Sequence, residues 1–253
     1  MPSREYQLTN EPEAKPSGIV SWLLKKFVQL ILVIVTLFFV VLLIFRWAPI
    51  PTSAFIFHQN YLAKQSPQKY DKAAYQWVDW DEISPQLAIA VIAAEDQRFP
   101  THWGIDTVEL KKALASTRKK GPRGASTITQ QVAKNLFLWG GRSYTRKVLE
   151  AVISVSLEIV WPKKRILEVY LNVAQFGDAT FGAKEASERL FDVKAKALSR
   201  KQAAMLAAVL PKPAISNVND PRPSLQKRQR WILKQMKQLG GLNYLKQLKG
   251  VSF

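Results

Sequence analysis

The sequence predicts a mainly α protein, with one transmembrane helix near the N-terminus followed by a single helical domain. Three observations predict it. Phe27 to Phe45 carries no charge, and only Gln29 and Thr36 are polar; as a helix it would be roughly 28 Å long, close to the hydrocarbon thickness of a bilayer. From Ser84 onward apolar residues recur at helical spacing between recognisable caps and breakers. No segment alternates apolar and polar residues as a half-buried strand does, and no internal repeat is present.

Composition narrows the function. The chain has 253 residues, enough for one large domain or two small ones. It has no cysteine, which excludes disulfides and thiolate metal sites, and only two histidines, His58 and His102, which excludes a three-histidine metal site. A formal charge of +18 directs it to polyanions: nucleic acid, anionic head groups or phosphorylated substrates.

Taken in order, residues 1–26 are expected to form a cytoplasmic tail, 27–45 the transmembrane helix, 46–60 a linker and 61–253 the exported domain. Lys15, Lys25 and Lys26 precede the span and only Arg46 closely follows it, so the N-terminus is expected in the cytoplasm; long domains translocate largely regardless of charge. Ile44-Phe45-Arg46-Trp47 offers no small-residue cleavage site, which favours a retained anchor over a cleaved signal. This topology argues against nucleic acid as a partner and for anionic lipids or lipid-linked phosphates. Pro49-Ile50-Pro51 stops the helix. Residues 52–80 are rich in Tyr, Phe, Trp and Gln without a clear period, and read as an irregular, membrane-facing connection.

Ser84-Pro85 starts the first helix of the domain, with Ser as N-cap and Pro at the first helical position. Its apolar run ends on two adjacent acids, Glu95 and Asp96. A carboxylate there is either solvated at the tip of a core helix or held for chemistry, because burying an unpaired charge is costly. Val108, Leu110 and Leu114 predict a short helix after Asp106, and Arg118 to Gly124 a flexible cationic loop. Ile128, Val132 and Leu136 share one face of the next helix, with Ser126 as its cap; a helix start beside a basic loop is a good anion site. A long helix spans Tyr144 to Trp161, apolar on most sides and so expected to be mostly buried, with Arg146, Lys147 and Glu150 in one turn. Helices follow at Lys163–Asn172, Ala183–Phe191, Ser199–Leu210 and Ser224–Leu239, with a glycine-punctuated loop from Gln175 to Gly182. His102 is expected to be a hydrogen-bonded structural histidine, with Phe99 and Trp103 packed beneath its loop.

Four stretches stand out together: Glu95-Asp96-Gln97-Arg98-Phe99-Pro100-Thr101-His102-Trp103-Gly104, Gly124-Ala125-Ser126-Thr127-Ile128-Thr129-Gln130-Gln131, Arg146-Lys147-Val148-Leu149-Glu150, and Arg165-Ile166-Leu167-Glu168-Val169-Tyr170-Leu171-Asn172. In this order and spacing they resemble the motifs of the family 51 glycosyltransferases, the peptidoglycan polymerases, and in particular the monofunctional biosynthetic transglycosylases. The resemblance covers about residues 60–240. A fifth motif departs from the family pattern of two adjacent arginines: here Arg228-Gln229-Arg230 precedes Trp231-Ile232-Leu233, which leaves the roles of Arg228 and Arg230 open.

The resemblance implies a lysozyme-like helical glycosyltransferase domain that polymerises lipid II at the outer, periplasmic face of a bacterial cytoplasmic (inner) membrane. A sugar hydroxyl would attack the anomeric carbon of a growing chain carried on a polyprenyl diphosphate. It implies Glu95 and Glu150 as catalytic acids, Glu95 being the base. Asp96, Arg98, Ser126, Thr127, Gln130, Gln131, Lys134, Arg142, Arg146 and Lys147 are the implied substrate-binding set, with Lys134 and Arg142 on the diphosphate. Mg²⁺ or another divalent cation would suit the diphosphate; no organic cofactor is implied. The implied partners are lipid II, the growing glycan, the membrane and the cell-wall synthesis proteins, and no transpeptidase activity is expected. Two carboxylates in a helical domain also equip a glycan-cleaving enzyme, and the span and charge alone would suit a non-enzymatic membrane scaffold. The cations at Lys134, Arg142, Arg146 and Lys147 favour a phosphate leaving group over both.

Overall fold

A computed structural model of the chain describes residues 18–120, 126–141 and 143–248. The chain divides into two compact units, residues 1–43 and 44–253.

The first unit holds most of α1 (Gly18–Ile44), a helix long and apolar enough to cross a membrane. It starts earlier than the charge-free run, because Ile19, Val20 and Trp22 to Leu24 extend the apolar pattern past Lys25 and Lys26. Lysines within a span end are tolerated because their long stems carry the ammonium toward water.

The second unit is built on α3 (Pro85–Glu95). Every residue from Leu87 to Ala93 is buried. Ser84 caps it, its hydroxyl accepting from the Gln86 N–H, and Pro85 needs no N–H partner at the first position. Helices α9 (Arg200–Val209) and α10 (Pro223–Gln238) pack against it. Helices α3 and α9 are both alanine-rich: Ala88, Ala90 and Ala93 of α3 and Ala203, Ala204, Ala207 and Ala208 of α9 are all buried. Small side chains let two helix axes approach closely, while Leu87, Ile89 and Ile92 each contribute about 2 kcal/mol by burial. A second group packs α5 (Ile128–Phe137) against α6 (Tyr144–Val160) and α7 (Lys163–Val173), with α8 (Gly182–Phe191) on α7. The predicted capping box at Ser199 and Gln202 starts α9.

Several sequence expectations need correction. Residues 52–80 are not irregular throughout. They hold α2 (Ala54–Gln65), capped by Ser53, whose hydroxyl accepts from the Ile56 N–H; this helix runs across the boundary drawn at residue 60. The described residues hold three short strands: β1 (Ala74–Tyr75) pairs in parallel with β3 (Thr180–Phe181), which pairs antiparallel with β2 (Gln175–Gly177). At two or three residues they are too short to show alternation. Gly182 after β3 has φ +83°, and a Cβ there would lie 2.5 Å from the Asn172 carbonyl oxygen, so only glycine fits. Helix α4 (Thr107–Lys120), capped by Asp106, takes in the first residues of the expected cationic loop; its glycines at 121 and 124 lie outside the described residues. The cap of α5 is Thr127, not Ser126, because Thr127 and Gln130 form a reciprocal capping box. Finally, α6 is not mostly buried. Val148, Val152 and Ile159 are more than half exposed on it, and its buried residues are Glu150, Ser154, Ser156 and Leu157.

The fourth motif braces the unit. Arg165, Glu168 and Asn172 are three and four residues apart and share one face of α7. Arg165 donates to Glu168 at 2.7 Å, to the Phe45 carbonyl at 3.1 Å and to the Ala48 carbonyl, and it lies over the Trp77 ring. Glu168 accepts from the Trp80 N–H at 2.7 Å, and Asn172 exchanges two hydrogen bonds with the backbone of Val78. Residues 45–48 and 77–80 are thus tied to α7 by side chains.

Candidate active site

Glu95 and Asp96 are neighbours in sequence with opposite surroundings. Glu95 ends α3 and meets side chains from two other helices: Gln131 of α5 donates to Oε2 at 2.9 Å, and Arg228 of α10 donates to Oε1 at 3.1 Å. Tyr170 of α7 donates in turn to the Gln131 carbonyl at 3.2 Å, which fixes the way the amide points. Burial pushes the Tyr170 phenol well above its ordinary value, so it stays a donor.

Asp96 turns inward and is buried. Its Oδ atoms meet His102 Nε2 at 3.0 Å, and Oδ2 accepts from the Ile128 N–H at 2.9 Å. The first N–H of α5 is therefore taken by the chain's own carboxylate. This corrects the expectation of an open anion site at that helix start, and the reason is the one that made it attractive: the free N–H and the dipole stabilise whichever anion is nearest. His102 is the hydrogen-bonded structural histidine expected. Phe99 is buried under the loop, but Trp103 is 67% exposed and does not pack there. Asp96, His102 and Asp106 offer ligand atoms within 4.8 Å of one another, although Asp96 is engaged as described and Asp106 caps α4 and faces Arg98 Nε at 3.4 Å.

The second carboxylate, Glu150, is buried on α6 and accepts from Arg146 Nη1 at 2.6 Å and from Lys147 Nζ. Lys147 also donates to Ser126 Oγ at 3.1 Å, which ties the residue before the α5 cap to the cluster. Lys134 of α5 joins these groups. Burial lowers the pKa of its ammonium below the ordinary lysine value; Glu150 draws it back up, Arg146 and Lys147 push it down, and Glu95 draws it up. One ammonium thus senses both carboxylates.

The structure therefore brings together Glu95, Gln131, Lys134, Arg146, Lys147, Glu150 and Ser126. Thr127 and Gln130 are buried in the capping box, and the Thr127 hydroxyl also donates to the Gly104 carbonyl at 2.5 Å, tying the α5 start to the loop after Asp96. A cavity of 430 Å³ beside Glu95 is lined by Asp96, Arg98, Asp106, Ser126 and Thr127 among others. Arg142 lies outside the described residues. Sequence reasoning left Arg228 open, and its contact with Glu95 is the addition the structure makes. The fifth motif drew attention to Arg228 and Arg230, but the departure from its pattern did not say which of them reaches the site.

The family model for transglycosylases matches residues 60–237. A Biosynthetic peptidoglycan transglycosylase of Cronobacter sakazakii is 49% identical over 209 residues, which is 82% of this chain and 87% of the relative. One from Escherichia coli strain K12 is 50% identical over 206 residues, 81% of this chain and 85% of the relative. The chain belongs to the transglycosylase family. Within a transglycosylase, the pairing of Glu95 with a cationic cluster acquires a chemical meaning that neither has alone.

Proposed function

We propose that the chain polymerises lipid II into glycan strands, as a peptidoglycan glycosyltransferase. The observation that carries this is that Glu95, at the end of a rigid core helix, lines one cavity with Ser126, whose hydroxyl accepts from Lys147 of the Arg146–Lys147–Glu150 cluster. Glu95 takes the proton of the attacking sugar hydroxyl as the new bond forms at the anomeric carbon. Lys134, Arg146 and Lys147 neutralise the diphosphate as its bond to that carbon breaks. Glu150 holds Arg146 and Lys147 in place, and Gln131 and Arg228 hold Glu95. A cleaving enzyme expels a sugar hydroxyl and gains nothing from such a cluster, so the cations favour transfer from a diphosphate.

The resemblance leaves Glu150 two roles, helping to hold a divalent cation at the diphosphate or ordering the basic cluster. The Glu150 oxygens are already engaged by Arg146 and Lys147. That donor set does not fit a resident ion, and the proposed chemistry routes no step through one. The anchor α1, with lysines toward its N-terminal end, supports a cytoplasmic N-terminus and a catalytic unit on the outer face of the cytoplasmic membrane. Cell-wall synthesis proteins are the proposed protein partners on family grounds.

The test is polymerisation of labelled lipid II by the full chain, with the Glu95→Gln variant alongside. Polymer from the wild type and none above background from the variant is the expected result. Equal polymer from both would sink the assignment of the base.

A further inference from the structure

A second cavity lies between α2 and the C-terminal end of α5, with a volume of 900 Å³. Phe55, Phe57, His58, Tyr61, Leu138 and Trp139 line it, and none of them belongs to the site described above. Phe57, Tyr61 and Trp139 are 67%, 54% and 52% exposed. Single exposed aromatics need no explanation, but several lining one concave apolar surface mark a binding site.

One end of this groove reaches the catalytic cluster. Lys134 Nζ sits 5.3 Å from the centroid of the Phe55 ring, and the same ammonium senses Glu150, Arg146 and Lys147. The surface is therefore cationic at its head and apolar along its length. That polarity suits an amphiphile with an anionic head directly attached to a long hydrocarbon. Size agrees as well: an apolar cavity of about 150 Å³ takes a benzene-sized group, so this groove accommodates several five-carbon units.

We propose that the α2 groove holds the head-proximal isoprene units of the polyprenyl chain of a lipid-linked diphosphate substrate, while Lys134 holds the diphosphate. The assignment rests on the functional reading given above. It gives α2 a purpose that a connection between anchor and domain does not require. It also separates two contributions to substrate binding, electrostatic at Lys134 and hydrophobic at Phe57, Tyr61 and Trp139.

The experiment compares two forms of lipid II on the full chain, one with the full-length polyprenyl tail and a short-tailed one in which a methyl group replaces the isoprene units. The double variant Phe57→Ser, Tyr61→Ser alters exposed positions. It is expected to raise KM for the long-tailed substrate about tenfold, in line with the loss of buried hydrocarbon contact, and to leave kcat/KM for the short-tailed one within about twofold. Should the double variant misfold, Trp139→Ser alone carries the same comparison. Equal losses on both substrates, or no loss on either, would overturn the proposal. Failure of the wild type to polymerise either substrate would overturn the functional reading first, and this inference with it. A photoreactive polyprenyl diphosphate supplies an independent readout: it should label the peptide carrying residues 54–61. Labelling displaced by phosphatidylglycerol vesicles but not by unlabelled polyprenyl diphosphate would assign the groove to bilayer lipid and overturn the proposal.

Discussion

Helices α3 and α6 each deliver one carboxylate to the site, and they support it in different ways. Helix α3 is buried from Leu87 to Ala93, and Glu95 at its end is held by Gln131 and Arg228 from two other helices. Helix α6 is bare along Val148, Val152 and Ile159, and Glu150 is held by Arg146 and Lys147 one turn earlier on the same helix. Glu95, the proposed base, is placed by tertiary packing. The counter-charge of the cationic cluster is placed by helical spacing alone, with residues three and four apart falling on one face. Glu95 therefore depends on three helices meeting, whereas the Arg146–Lys147–Glu150 turn is set within α6 and joined to α5 through Ser126.

The hardest break to this comparison is at Glu95, the proposed base. Glu95→Gln keeps the shape of the side chain and can still accept from Arg228, but it cannot take a proton. Turnover of lipid II is expected to fall by about 10³-fold, within the range for loss of a general base, while the melting temperature stays close to that of the wild type. A large loss of stability would instead make Glu95 a packing residue.

Glu150→Gln breaks the other half. It leaves Arg146 and Lys147 without their buried counter-charge, and turnover should fall by about 10²-fold, as when a preorganised electrostatic element is lost. It also carries a signature in pH. Glu150 draws the Lys134 pKa upward against burial, so removing its charge lets that pKa fall further. Lys134 then loses its proton at a lower pH, and the alkaline limb of the pH–rate profile moves to lower pH than in the wild type. A limb that stays in place would remove Lys134 from the rate-determining charge balance.

This comparison also explains what the sequence could and could not reveal. The turn of Arg146, Lys147 and Glu150 was legible because it is local: spacing fixes the geometry. The caps at Ser84 and Ser199 were legible for the same reason. The tie between Arg228 and Glu95 joins residues far apart in the chain, and nothing in either neighbourhood signals the other. The partners of Asp96 were not legible because His102 and the Ile128 N–H come from a loop and a helix start whose approach depends on the fold. The exposure of α6 was misread because apolar residues around a helix are ordinarily buried by protein, and composition does not say what else would cover them. The braces at Arg165, Glu168 and Asn172 were visible as a motif, but their targets at Phe45, Ala48, Val78 and Trp80 were not.

Arg228 sharpens the tertiary half. Arg228→Ala removes one of the two donors on Glu95 and should lower kcat about tenfold, an effect expected for a positioning residue lost beside a base that keeps its other partner. Arg228→Lys restores the charge without the planar fork and should recover part of the rate. If Arg228 acts only by bracing α10 against α3, both variants will lower thermal stability and leave kcat of the surviving protein unchanged.

The smallest effect is expected on the outer face of α6, and it separates the two kinds of support most cleanly. Val152 is exposed and lies within a turn of Glu150, yet its side chain takes no part in the hydrogen bonds and ion pairs of the cluster. Val152→Ser should change stability by no more than about 0.5 kcal/mol, as surface substitutions generally do, and should leave turnover of short-tailed lipid II in detergent unchanged. Denaturant unfolding and the polymerisation assay read these separately. A fall in turnover without a fall in stability would show that the cluster needs more than the helical spacing of α6, and that its outer face takes part in placing Glu150.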